Sequence, residues 1–253
     1  MSWLQIESRF SAVFAARKLN SFESIADHFT GDSRLHDEVF IKRATLITAN
    51  GPLDVFFKQY RYARPSWRFW NRASKARREF ENYQTLHSLG VPVAQRIAAG
   101  EERDSIGRLK RAFIITVAVP GARTLIEFAQ ENRARAVRRR LLTDVANASR
   151  AMHRANFFYH DLVWRNLLVN QNNELVLIDC PRGGLAKFGR ERQRLRDLAS
   201  LDKSAWKFCQ RTERLRFMLA YLDKQRVDDE ARALVRACLD YRRARWPEDW
   251  GGE

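Results

Sequence analysis

The sequence predicts an α+β fold in two parts, and two changes of pattern predict it. Up to about residue 119, short apolar or alternating segments favour strands; beyond Pro120-Gly121, apolar residues recur every three or four positions and favour helices. VFIKRATLI and LDVFFKQYRY, joined by the turn-like Asn50-Gly51-Pro52, read as two strands, and AFIITVAV as a later one. A helix interrupts them over about 72–89, stopped by Gly90 with Pro92 just beyond. In the second part Val137, Leu141, Val145, Ala148 and Met152 mark an amphipathic helix. NLLVN and ELVLID flank Gln171-Asn172-Asn173 and read as a small hairpin; the remainder, from about Arg190, is helical again. The predicted domains are 1–118, strand-rich, and 119–253, helix-rich.

Composition bounds the function. The 253 residues include 46 Lys and Arg against 30 Asp and Glu, a formal charge of +16, with 45% hydrophobic residues. That apolar content excludes a disordered polycation. Eleven Gly and six Pro exclude a collagen-like or low-complexity chain. The three cysteines, Cys180, Cys209 and Cys238, show no CxxC spacing, so neither a disulfide framework nor a zinc site is expected, and a reducing compartment fits. The N-terminal residues lack a signal-peptide run, and the longest apolar stretch, 112–119, falls far short of the ~20 residues of a bilayer span. A cytoplasmic protein, soluble or peripheral on the membrane, is expected. A field this positive attracts polyanions, whether nucleic acid, anionic lipid or phosphorylated glycolipid. Without zinc-finger spacing or an RNP-like aromatic motif, nucleic acid rests on charge alone and is not expected as a partner. Trp67 and Trp70, near Arg64, Arg68 and Arg72, suit a membrane interface, and packing accounts for them equally well.

Chemistry concentrates in YHDLVWRNLLVNQNNELVLIDCPRGG, residues 159–184. Asp161, Asn166 and Asp179 follow one another at gaps of five and thirteen residues around the hairpin. A hairpin brings its ends together, so the oxygens of Asn166 and Asp179 should converge, with Asp161 on the preceding loop. Hard oxygen ligands of this kind suit Mg²⁺, which takes one or two protein groups and leaves the rest to water and substrate phosphates. The remaining carboxylate is placed to accept a hydroxyl proton.

These spacings resemble the protein-kinase-like superfamily, whose catalytic loop H-R-D-x-x-x-x-N precedes D-F-G. The resemblance implies a lysine on a strand of the front half and a carboxylate on a helix to pair with it. Lys58 in DVFFKQY shares a strand face with Phe56 and Tyr60, where an unpartnered lysine would be costly. Glu79 aligns with Tyr83 and Leu86 on an apolar helical stripe, whereas Glu81 is turned away by about 200°. Glu79 is therefore expected to point inward. AFIITVAVPGARTL looks like the hinge between lobes, which implies that backbone groups of Val117 and Val119 read the adenine edge of ATP.

The chain also departs from the general kinase pattern. Only Gly51 lies between Lys42 and Lys58, where a phosphate-cradling loop uses several glycines. Tyr159-His160 stand for His-Arg, Cys180-Pro181 for Phe-Gly, and Val163 for the lysine of Ser/Thr kinases. Seventeen residues separate Asp179 from Asp197 with no A-P-E, too few for a peptide-docking platform. MHRANFFYHDLVWRNLLV, with REFENYQTLHSLGVPV, CPRGG, RDLASL and TERLRFMLAYL, is similar to the bacterial lipopolysaccharide core kinases, the Kdo and heptose kinase family, over about 53–222. That likeness implies a two-lobed kinase-like fold and transfer of the ATP γ-phosphate to a sugar hydroxyl of the lipopolysaccharide core. It implies Asp161 as base or hydroxyl-orienting group, Asn166 and Asp179 as Mg²⁺ ligands, Lys58 on the α- and β-phosphates, and Glu79 positioning that lysine. An anionic membrane carrying the acceptor would attract the basic surface within a Debye length of ~8 Å. Three alternatives stay open: a small-molecule kinase of the aminoglycoside or choline type, a pseudokinase-like ATP-binding regulator, and, on charge alone, a nucleic-acid-binding protein. Among smaller signals, a structural hydrogen bond is expected for His153, a small buried side chain for Cys180, and phosphate or carboxylate partners for Arg165 and Arg182; His160 would orient the loop or titrate with it.

Overall fold

The computed structural model describes residues 2–31, 38–62, 69–70, 72–131 and 135–249. Trp67, Arg64 and Arg68, the aromatic-basic group noted above, lie outside the described residues. The fold is α+β and of the two-lobed kinase-like kind, with a five-stranded antiparallel sheet in one compact unit and a mainly helical second unit. The first unit comprises Met1–Gln84 and Ala94–Ala118, the second Thr85–Val93 and Val119–Glu253. No described helix is long and apolar enough to cross a membrane.

In the first unit the strands are β1 (Ser2–Ile6), β2 (Val39–Thr48), β3 (Gly51–Arg61), β4 (Arg96–Arg103) and β5 (Leu109–Val117), ordered β1-β4-β5-β3-β2. Three helices accompany them: α1 (Ser8–Ala16), α2 (Phe22–Thr30) and α3 (Lys75–Ser88). Thr48 pairs with Gly51, so the β2–β3 turn is the two residues Ala49 and Asn50, and the expected turn residues Gly51 and Pro52 begin the next strand instead. Alternation then sorts β3 into two faces. Val55 and Phe57 join Phe113 and Ile115 of β5, and Phe10, Phe14, Phe22, Ile25 and Phe29 of α1 and α2 close over them. The Phe29 and Phe57 rings stack with centroids 5.0 Å apart. Each of these buried side chains contributes about 1.5–3 kcal/mol. The opposite face of β3 carries Lys58 and Tyr60, with Ile41 of β2 and Ile114 of β5 directly across from Lys58.

The N-terminal elements β1, α1 and α2, and strand β4, are additions to the expected architecture. A register shift between Arg96 and Ala98 lets Ile97 and Ala98 enter the same core. Gly100 is required there, since a Cβ would lie 2.8 Å from the Phe113 ring. Helix α3 ends as the sequence indicates: Gly90 adopts φ +70°, and the Val91 amide returns to the Leu86 carbonyl at 3.0 Å.

The second unit contains β6 (Arg123–Thr124), α4 (Leu125–Gln130), α5 (Arg135–Arg154), β7 (Phe157–Phe158), β8 (Leu167–Val169), β9 (Leu175–Leu177), β10 (Gly184–Leu185), α6 (Arg190–Phe208), α7 (Arg211–Leu222) and α8 (Asp229–Arg245). Strands β8 and β9 form the expected hairpin, flanked by β6. Its turn is held by the Asn170 side chain, whose Oδ1 accepts from the amides of Asn172 and Glu174, both at 2.9 Å. Ala146 of α5 meets Leu198 of α6, Met218 and Tyr221 of α7, and Leu234 and Cys238 of α8 in a helical core. The three cysteines are unbridged. Burial pushes the Cys209 thiol up to about 11 and the Cys238 thiol up to about 12, so neither is a thiolate near neutral pH.

Candidate functional site

The loop between β7 and β8 is built from the hairpin backward. Leu167 pairs with Leu177, and just outside that pair the Ile178 amide donates to the Asn166 carbonyl at 3.0 Å. Asn166, last residue of a short 3-10 turn (Trp164–Asn166), thus stands beside the residue preceding Asp179. Its side chain is buried, and Nδ2 donates to the Asp161 backbone carbonyl at 2.9 Å. With the amide so oriented by its hydrogen bond, Oδ1 is the atom turned to other partners. Asp179 takes a left-handed backbone, φ +64°, which for a residue other than glycine needs support from its surroundings. The Tyr159 hydroxyl supplies part of it by donating to the Ile178 carbonyl at 2.7 Å. Asp161, Asn166 and Asp179 are therefore tied in one local network.

The Asp161 carboxylate is partly exposed and lies 3.6 Å from the Arg165 guanidinium, itself largely in solvent. Such a pair contributes little to stability. Of the partners suggested for Arg165, the nearby carboxylate is the one found.

A second anchor was not anticipated. Asp197 on α6 is fully buried, and its two oxygens accept the successive backbone amides of Tyr159 (2.7 Å) and His160 (2.8 Å). His160 has φ +67°, the twist that turns both amides toward one carboxylate. His153 stacks on Phe158, with Nε2 3.4 Å from Asp197 and Nδ1 2.9 Å from the Tyr221 hydroxyl. Its role is structural, as expected. Burial pushes the Tyr221 phenol up to about 12, so it remains a neutral partner. The His160 ring bonds Gln193 Oε1 at 2.7 Å, which makes it a loop-orienting group in this geometry.

In the first unit, Lys58 Nζ and Glu79 Oε2 are 3.4 Å apart, with side chains 18% and 4% exposed. Glu79 also receives the hydroxyls of Tyr60 (3.2 Å) and Tyr83 (3.0 Å). Glu81 instead faces outward and pairs with Arg77 at 2.8 Å. A buried carboxylate with one cation and two hydroxyl donors is well satisfied, and it fixes where the ammonium sits. Glu79→Gln keeps an acceptor for the tyrosines but removes the charge facing Lys58. It should lose about 1–2 kcal/mol in urea denaturation; an unchanged midpoint would mean that the pair adds nothing to the fold.

The backbone bonding narrows the hinge expectation to particular atoms. The Val117 amide donates to the Gln95 carbonyl at 2.8 Å, so it is a sheet group and not a ligand reader; the Val117 carbonyl is the group left for that role. The Val119 carbonyl accepts from the Ala122 amide at 3.3 Å, which leaves the Val119 amide as its candidate.

The donor chemistry fits a divalent cation of the hard type. Among the described residues no group of three or more His, Cys, Asp or Glu side chains is built to hold a metal. One amide oxygen and one carboxylate instead match a sparse Mg²⁺ site completed by water and phosphate.

The family model described as lipopolysaccharide kinase (Kdo/WaaP) family matches residues 59–221, well over half the chain. No curated protein matches it.

Proposed function

The chain belongs to the lipopolysaccharide kinase (Kdo/WaaP) family and is thus a kinase; from that premise we propose that it transfers the γ-phosphate of ATP to a sugar hydroxyl of the lipopolysaccharide core, Kdo or heptose. The observation that carries the proposal is the loop network, in which Asn166 ties to Asp161 and, through Ile178, to Asp179. In this reading Asp161 accepts the acceptor hydroxyl's proton as the new sugar O–P bond forms. The γ-phosphorus to oxygen bond breaks, and ADP leaves with the electron pair. Asn166 Oδ1 and the Asp179 carboxylate hold Mg²⁺, which when bound neutralises charge on the β- and γ-phosphates. Lys58 grips the α- and β-phosphates, and Glu79 fixes its ammonium. The Val117 carbonyl and Val119 amide read the adenine edge. The work site is the cytoplasmic face of the membrane, where a lipid-linked core is presented and the +16 charge is complemented by anionic headgroups.

Purified lipopolysaccharide lacking core phosphate, incubated with the protein and γ-labelled ATP, tests the reading. Label should enter the lipopolysaccharide with Mg²⁺ and stop with EDTA. Label passing instead to a soluble aminoglycoside or choline, or no transfer to any core sugar, would overturn it.

A further inference from the structure

We propose that residues 182–196 form a docking tip for an anionic lipid surface, set directly against the catalytic loop. This rests on the lipid-linked acceptor of the preceding section. The segment, RGGLAKFGRERQRLR, carries six cations and one acid, and that acid, Glu191, is paired with Arg194 at 3.3 Å. Within it lie the two most exposed large apolar side chains among the described residues, Leu185 at 68% and Phe188 at 87%. Scattered exposed hydrophobics are ordinary. Two such residues three positions apart, in a segment of six cations and one paired acid, are the pairing of apolar insertion and electrostatic attraction that stable peripheral binding requires.

The tip is joined to the loop by backbone. Gly184 and Leu185 of β10 pair with Phe158 and Phe157 of β7, and β7 runs straight into Tyr159, His160 and Asp161. The Ala186 amide donates to the Asn156 carbonyl at 2.9 Å. Gln193 bonds the His160 ring and also donates to the Phe188 carbonyl at 2.9 Å. Seating Leu185 and Phe188 among acyl chains would therefore hold Asp161 near the headgroup plane, where a membrane-anchored sugar lies. A second copy of this chain is a poor occupant, because it would set one cationic patch against another on chains that each carry +16. Nucleic acid would answer the charge but not the exposed leucine.

The test is sedimentation of the full chain with vesicles of phosphatidylethanolamine and phosphatidylglycerol, compared with phosphatidylcholine alone. The parent should bind the anionic vesicles and release them at high salt. Leu185→Ser/Phe188→Ser should bind them at least tenfold more weakly while retaining the parent's circular dichroism and its affinity for a non-hydrolysable ATP analogue. Phe188→Cys carrying an environment-sensitive dye should shift its emission to the blue on anionic vesicles only. Equal binding by the double variant, an unshifted dye, or loss of self-association in place of vesicle binding would each overturn the proposal. Vesicle binding needs no catalysis, so a chain that docks through this tip yet phosphorylates no core sugar would separate this proposal from the kinase reading.

Discussion

Asp161→Ala is expected to reduce phosphate transfer by about 10²- to 10⁴-fold, the usual contribution of a positioned general base, with the fold intact. The expectation of an intact fold comes from the hydrogen bonding. Asn166 is held by the Asp161 backbone carbonyl, not by its carboxylate, so the substitution leaves the loop's internal tie in place. The carboxylate instead faces Arg165 at 3.6 Å, on the solvent side, and losing such a contact changes stability by roughly 0.5 kcal/mol or less. Asp161→Asn preserves shape and polarity but cannot take a proton at neutral pH, so it should lose nearly as much rate. The deficit should lie in kcat, measured with labelled ATP and purified acceptor, and affinity for an ATP analogue should stay as in the parent. Equal incorporation by parent and Asp161→Ala would end the assignment of the base.

What the sequence made legible follows from how local each signal is. The loop could be read because Asp161, Asn166 and Asp179 sit within nineteen consecutive residues, and a short hairpin dictates that its flanks meet. The Lys58 and Glu79 positions could be read because strand and helix periods each assign a side chain to a face, and a buried lysine demands a partner. Periodicity could not show that Tyr60 and Tyr83 would both reach the Glu79 carboxylate, although each lies on the face assigned to its neighbour. Nor could it show that the Val117 amide would be taken by Gln95, since that bond joins the end of β5 to the residue just before β4. Strand β4 escaped because RIAAGEER is poor in β-branched and aromatic residues; its place comes from pairing with β1 and β5, and Gly100 is there for the Phe113 ring. Helix α2 begins at a capping box closed by Ser24 in place of the more recognisable Glu or Gln. Burial likewise turned on tertiary packing: nothing local marks Leu185 and Phe188 as exposed, and the fold leaves both in solvent.

Asp197 is the extreme case of a residue whose role is invisible locally, and its substitution should be the most damaging to stability. It lies 38 residues from Tyr159, in the run RDLASL, which carries part of the family likeness but no sign of what the aspartate touches, and both of its oxygens are committed to the catalytic loop's backbone. Removing the side chain strands the buried amide of Tyr159 and the part-buried amide of His160, each at about 1–3 kcal/mol. Asp197→Ala should therefore lose roughly 2–6 kcal/mol, a large share of the ~5–15 kcal/mol that holds a typical domain together. Because that variant could simply unfold, Asp197→Asn is the informative one. An asparagine offers one oxygen to one amide and turns an NH₂ toward the other, so donor faces donor at either Tyr159 or His160. The left-handed conformation of His160 would then lack one of the two bonds that hold it, and Asp161, the next residue, would lose its fixed bearing. Under conditions where urea curves show Asp197→Asn fully folded, kcat should still fall by at least tenfold, with affinity for the ATP analogue unchanged. A purely structural role would lower the urea midpoint and leave kcat untouched. A variant matching the parent in both would mean that the loop keeps its shape without this carboxylate.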